Sequence, residues 1–148
     1  MRHRTLLISL VVGVLLGGPA VAAEAAAPVA RPDGAIRLID QSAYVGRGVF
    51  NTTGVGQTRE QRIGERGRGT FVVRVDNEGT ATDDFRLSGS SHSVKFSVQY
   101  RVGGVDVSAA VKAGTFVLRD LAPNEARTVT IIVSTRRSVP RGTTRVVW

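Results

Sequence analysis

A chain of 148 residues has room for one domain and a modest core, and its complete lack of cysteine excludes disulfide frameworks, thiol nucleophiles and thiolate metal sites. Twenty basic residues against 12 acidic ones give +8 at neutral pH, which favours anionic surroundings but argues about association rather than fold. All but Lys95 and Lys112 of those basic residues are arginine, the side chain that grips phosphate or carboxylate with two parallel bonds.

The first residues have the layout of a secretory signal peptide. Arg2, His3 and Arg4 precede the apolar run Leu6 to Leu16, and Gly17, Gly18, Pro19 and small residues follow, with cleavage fitting after Ala22 or Ala23. The run is well short of the ~20 apolar residues a spanning helix needs, so a leader over residues 1–23 is preferred to a retained membrane anchor, with no transmembrane span in the mature chain. Without Arg2 and Arg4, 18 basic residues face 12 acidic ones, leaving +6. Residues 24–32 are Ala- and Pro-rich and read as a flexible lead-in, and residues 33–148 as one domain.

Ala35 to Ile39 predicts an opening strand after a turn at Pro32-Asp33-Gly34. The Gly-rich stretch Tyr44 to Gly69 lacks sustained alternation, yet a compact domain seldom keeps so long a structureless loop. Local pairing is expected within it, around Val49-Phe50 or Gln61 to Ile63. Thr70 to Leu87 predicts two strands and a corner: Phe71, Val73 and Val75 share one face, Asn77 to Thr80 turn the chain, and Phe85 and Leu87 resume the alternation. Val94, Phe96, Val98, Tyr100 and Val102 form the cleanest period-2 pattern, and Gly103-Gly104 supplies the two positive φ angles of a tight hairpin that turns Val105 to Val107 back on it. Thr115 to Arg119 predicts a strand, Leu121 to Asn124 a corner, and Arg127 to Thr135 a strand with Val129, Ile131 and Val133 inward. No stretch carries a helical period over three turns. The fold class is therefore all-β, an antiparallel sandwich of about seven strands with a core that also takes in Phe116, Leu118 and Leu121.

Four segments, in order and spacing, carry a family likeness: YVGRGVFNTTGVGQT (Tyr44 to Thr58), FVVRVDNEGTATDDF (Phe71 to Phe85), VQYRVGGVDVSAAVKAGTF (Val98 to Phe116) and LAPNEARTVTIIV (Leu121 to Val133). They resemble an immunoglobulin-like β-sandwich module of exported bacterial proteins, of the group that includes the NEW3 and CARDB-type adhesion-like domains. The NTTG-x-x-QT loop is the most specific element and the V-x-N-x-G-T corner a generic one. The resemblance implies a non-catalytic structural or interaction module, secreted or held at the cell surface, and no catalytic residues to carry over. Modules of this kind continue past a strand at Arg145 to Trp148 into a closing strand. Relative to that pattern the chain lacks its last strand, which leaves two expectations: a fragment of a longer multi-module protein, or an edge filled by another chain through β-strand addition.

Candidate chemistry is sparse. Ser90, Ser91, His92 and Ser93 adjoin Asp83 and Asp84 in sequence, but no strained nucleophile turn accompanies them, and His92 reads as a solvated loop residue. Asp76, Asp83, Asp84, Asp106 and Asp120 lack calcium-loop spacing and read as turn caps, so no cofactor or metal is expected. Gly46-Arg47-Gly48 and Gly67-Arg68-Gly69 lack the third glycine and the Lys-Ser/Thr of a phosphate loop. Asn51-Thr52-Thr53 is spelled like a glycosylation sequon and reads as turn chemistry. Arg59, Arg62, Arg66 and Arg68, with Arg136, Arg137, Arg141 and Arg145, form two basic clusters suited to anionic wall polymer or lipid headgroups. Nucleic acid is disfavoured because no stacking aromatics are interleaved with these arginines. Tyr44, Phe50 and Trp148 are the aromatics left over for a carbohydrate-binding role, as in an accessory module of an exported hydrolase.

Overall fold

Alternating apolar and polar residues, many β-branched or aromatic, favour extended chain over helix, and a computed structural model describes the outcome for residues 27–136. In order these are β1 (Pro32–Leu38), β2 (Arg68–Asn77), β3 (Asp83–Leu87), β4 (Phe96–Val102), β5 (Val105–Asp106), α1 (Ser108–Lys112), β6 (Phe116–Leu121) and β7 (Ala126–Thr135). Every pairing is antiparallel. One sheet has five strands in the order β1-β2-β7-β4-β5, and the other pairs β3 with β6. This is the expected all-β sandwich of seven strands. The leader over residues 1–23, the arginines at 137, 141 and 145 and the strand expected at Arg145 to Trp148 lie outside the described residues.

The core forms where the inner face of the large sheet meets the small one. Val98 and Tyr100 of β4 lie beside Val133 and Ile131 of β7 in the ladder, and these pack with Phe96, Val129 and the helix residue Val111. Val75, Phe85, Leu118 and Leu121 form a second cluster, and Val73, Leu87, Val102 and Phe116 touch both. The described part of the two-stranded sheet does not cover its partner completely, since Ile36, Leu38, Phe71 and Val73 on β1 and β2 are only half-buried.

Several local expectations change. Pro32-Asp33-Gly34 is not a turn but the start of β1, with Asp33 directly opposite Asp76; proline is tolerated at the first position of a strand. Val94 is 90 % exposed rather than inward, because Ser93 turns the chain there: its N–H donates to the Phe96 carbonyl at 2.8 Å and its hydroxyl accepts the Phe96 N–H at 3.0 Å. Val72 is buried although its neighbours Phe71 and Val73 take the inner face. The single turn α1 was invisible to periodicity because five residues are too few to show one. The Gly103-Gly104 hairpin forms as expected, with φ of 56° and 82°.

Both margins of the large sheet are occupied. Along β1, Ile36 exchanges two backbone hydrogen bonds with Val45, of 2.8 and 2.9 Å, and the Gln57 amide donates to the carbonyls of Gly34 and Val49. Pairing of the Gly-rich stretch thus falls at Val45, not at Val49-Phe50 or Gln61 to Ile63. Gly46, at φ 103°, permits this approach, since a Cβ there would sit 2.8 Å from Gln57 and 2.9 Å from the Gly34 carbonyl. Along β4, Arg101 and Val102 pair with β5, the Tyr100 carbonyl accepts from Val107, its N–H donates to the Ser108 hydroxyl, and the Val98 N–H donates to His92 Nδ1.

Candidate functional site

The corner after β2 joins the two sheets. Asn77 is 0 % exposed. Its Nδ2 donates to the carbonyls of Ala81 (2.8 Å) and Leu121 (2.7 Å), while its Oδ1 accepts the Gly79 N–H at 2.9 Å. Its backbone also accepts from Asn124 and donates to Glu125, so the generic V-x-N-x-G-T corner is a buried polar clamp between the end of β2 and the β6–β7 turn. Gly79 is required beside it because a Cβ would lie 2.3 Å from the Val29 carbonyl oxygen.

Most acidic candidates hold turns. Asp84 accepts the Asp120 N–H at 2.9 Å and meets Arg119 at 3.3 Å, spanning the register shift in β3–β6 where Asp120 takes φ 54°. Asp106 accepts from Gln99 at 2.6 Å and from the Ser108 N–H at 2.9 Å, and the Ser108 and Gln99 bonds hold its carboxyl down to about 2. Asp76 is buried and chelates Arg74 through three contacts of 2.6 to 2.9 Å, a hydrogen-bonded pairing that raises the arginine further. Asp33, 1 % exposed, accepts the Gly48 N–H on Oδ2 and keeps Oδ1 buried without a hydrogen bond among the described residues. No group of three or more His, Cys, Asp or Glu among the described residues is arranged to hold a metal ion. Asn51 Oδ1 accepts from the N–H groups of Thr53 and Gly54, the turn role read for the sequon.

The aromatics outside the core pattern are stacked under cations. The Arg31 guanidinium lies 4.2 Å from the Phe50 ring centroid and that of Arg37 lies 5.1 Å from Tyr44. Trp148 is outside the described residues.

Basic residues from distant parts of the chain converge at one end of the large sheet. The Thr135 N–H donates to the Gly67 carbonyl at 3.1 Å, its hydroxyl donates to the Gly64 carbonyl at 3.0 Å, and the Arg136 N–H donates to the Lys95 carbonyl at 2.9 Å. Arg66 and Arg68 therefore meet Arg136 and Lys95, all four exposed, with exposed Arg62 nearby in sequence. Arg59 departs from the predicted cluster: it is half-buried, and its Nε is buried without a hydrogen bond among the described residues.

His92 is an exposed loop residue, as read, and is also held by hydrogen bonds. Its Nδ1 accepts the Val98 N–H at 3.1 Å and its Nε2 lies 3.1 Å from Lys112 Nζ. Both side chains line a cleft of about 380 Å³ together with Arg68, Ser97, Asp106, Ser134 and neighbours. Sequence reasoning missed this cleft because only the register sets Ser97, Ser134 and Arg68 side by side across β4, β7 and β2. The weak available signal was the pairing of a loop histidine with a Gly-Gly hairpin that folds Asp106 and Ser108 back on the same strand.

No family model matches the chain, and neither a curated protein nor a solved structure is similar enough to match. No helix among the described residues is long and apolar enough to cross a membrane.

Proposed function

We propose that this chain is a non-catalytic, exported interaction module, secreted or at the cell surface, that associates by adding a strand to its small sheet. The observation that carries this is the contrast in cover. The margins of the five-stranded sheet are occupied by Val45, Gln57, β5, Ser108 and His92, whereas β3 and β6 pair only with each other among the described residues. A two-stranded sheet is marginal alone, and the half-buried Ile36, Leu38, Phe71 and Val73 offer apolar surface for a further strand to cover. The leader-like N-terminus and the resemblance to adhesion-like sandwich modules support export and a structural role. A second copy of the chain is the simplest source of the strand. Light scattering on the mature chain over a range of concentrations should show association, with slowed amide exchange in residues 83–87 and 116–121. A well-folded monomer throughout would overturn it.

A second reading, binding of anionic wall polymer or lipid headgroups, is favoured by the convergence of Arg66, Arg68, Arg136 and Lys95 on one end of the sheet. Affinity for an anionic polymer should fall steeply as salt rises from low to physiological levels, and a flat response would reject this reading.

A further inference from the structure

The start of β1 buries a carboxylate that no cationic side chain among the described residues meets. Asp33 is 1 % exposed, and its Oδ2 accepts the Gly48 N–H at 2.9 Å, which fixes the group against the Gly-rich stretch and leaves Oδ1 buried without a hydrogen bond among the described residues. Directly opposite it in the ladder stands Asp76, 3 % exposed, so the two carboxylates project from the same face of the sheet. Arg74 is chelated by Asp76, and Arg31, two residues before Asp33, meets Glu78 at 3.9 Å instead. No ion pair among the described residues includes Asp33. The pair of carboxylates is therefore matched by one guanidinium. A carboxylate removed from water is costly unless a cation meets it, and buried charges are accordingly paired or bound to metal.

We propose that this position binds a calcium ion, held by Asp33 Oδ1 with Asp76 opposite, the carbonyls of the Gly46 to Gly48 turn and water completing the oxygen shell. Calcium takes about six to eight oxygens in a flexible arrangement and accepts peptide carbonyls and water among them, so a free carboxylate oxygen facing a second carboxylate is enough to nucleate the site. Asp76 can keep its bonds to Arg74, because an ionised carboxylate offers about four lone-pair positions. Such a site needs no group of three acidic or histidine side chains and no calcium-loop spacing, since the register of β1 on β2 brings Asp33 and Asp76 together. It lies on the face of β1 opposite Ile36 and Leu38, and so stands or falls apart from strand addition.

The test is a calcium titration of the mature chain at constant ionic strength, followed by amide-resolved NMR and by melting temperature, with magnesium as the comparison. Saturable shifts centred on Asp33, Gly48 and Asp76 are expected with a Kd of about 10⁻⁴–10⁻³ M, the range of calcium sites with few charged ligands, and the melting temperature should rise with calcium. Magnesium demands a near-ideal octahedron and gives up its water reluctantly, so it should bind about tenfold or more weakly. Asp33→Asn keeps an acceptor for the Gly48 N–H but loses the charge, and should abolish both responses, while Glu65→Gln, at an exposed acid elsewhere, should leave them unchanged. Should Asp33→Asn not fold, the position and saturation of the shifts in the unsubstituted chain decide. Unsaturated shifts spread over exposed acids such as Glu60, Glu65 and Asp84, equal for the two metals, would show screening of surface charge and overturn the site. A calcium response retained in Asp33→Asn would overturn it too, as would spectra and melting indifferent to calcium, which would leave Asp33 Oδ1 to a buried water.

Discussion

The two sheets of this sandwich solve the same problem in opposite ways. The large sheet closes its own margins with local devices: a backbone bridge from Val45, the Gln57 amide, a two-residue strand β5, and the side chains of Ser108 and His92. The small sheet, as described, has two strands and instead anchors itself downward through Leu121, 0 % exposed, and through the Asn77 clamp. Edges left open in a sheet invite other strands, so blocking them on one sheet directs association to the other. On the strand-addition proposal, specificity of assembly is written as much in what the large sheet refuses as in what the small sheet offers.

The comparison breaks most severely if the anchor of the small sheet is removed. Leu121→Ala leaves a cavity under β6 and should destabilise the fold by about 2–5 kcal/mol, read from denaturant unfolding. If the cost were below that of an exposed substitution, the small sheet would not depend on this contact. Asn77→Ala strips the carbonyls of Ala81 and Leu121 and the Gly79 N–H of their buried partner, and about 2–4 kcal/mol is expected from groups left unsatisfied in the interior. Asn77→Asp should recover little, because it cannot donate to the two carbonyls. A smaller effect sharpens the contrast from the other side. Gln57→Ala removes one hydrogen bond that ties the Gly-rich strap over Tyr44 to Gly69 to β1, at the Gly34 carbonyl, and one within the strap, at Val49, for about 1 kcal/mol, but should also speed amide exchange at Ile36 and raise association through β1. Association unchanged in that variant would mean the strap does not guard the edge.

The smallest effect is electrostatic. Asp106 has its carboxyl lowered by the hydrogen bonds from Ser108 and Gln99, so its folded-state value lies below the unfolded one. Its stabilisation is therefore present above the unfolded value near ~4 and is lost as pH falls through that window toward about 2. Asp106→Asn should lower stability modestly at neutral pH, leave it unchanged at the acid end, and so flatten the acid limb of a stability profile, whereas an unchanged acid limb would show that these bonds do not persist in solution.

Strand existence was legible in the sequence because the period-2 pattern is a direct imprint of a half-buried sheet, and β2, β4 and β7 carry it almost without interruption. The Gly103-Gly104 turn was legible for a similar reason, since few residues accept two positive φ angles in succession. What the sequence did not reveal depends on contacts far apart along the chain. Val94 continues the alternation perfectly, and only the Ser93 turn removes it from the core. Val45 as the bridging residue, the union of Arg66 and Arg68 with Arg136, and the approach of His92 to Lys112 all follow from register and loop path, on which local composition is silent. Arg66, Arg68 and Arg136 were visible as charge, but that they share one end of the large sheet was not.

The position of β7 between β2 and β4 has a kinetic meaning. The last strand described is the one that must be inserted at the centre, where Arg68 meets Ser134 and Phe96 meets Thr135 across long stretches of chain. Without it β1–β2 and β4–β5 are separate ribbons, so the large sheet closes only through contacts between residues far apart along the chain. Such non-local closure belongs to the slow, millisecond-to-second regime of folding. The sheet whose margins are best protected is therefore the one whose two halves are joined in the ladder only through its middle strand.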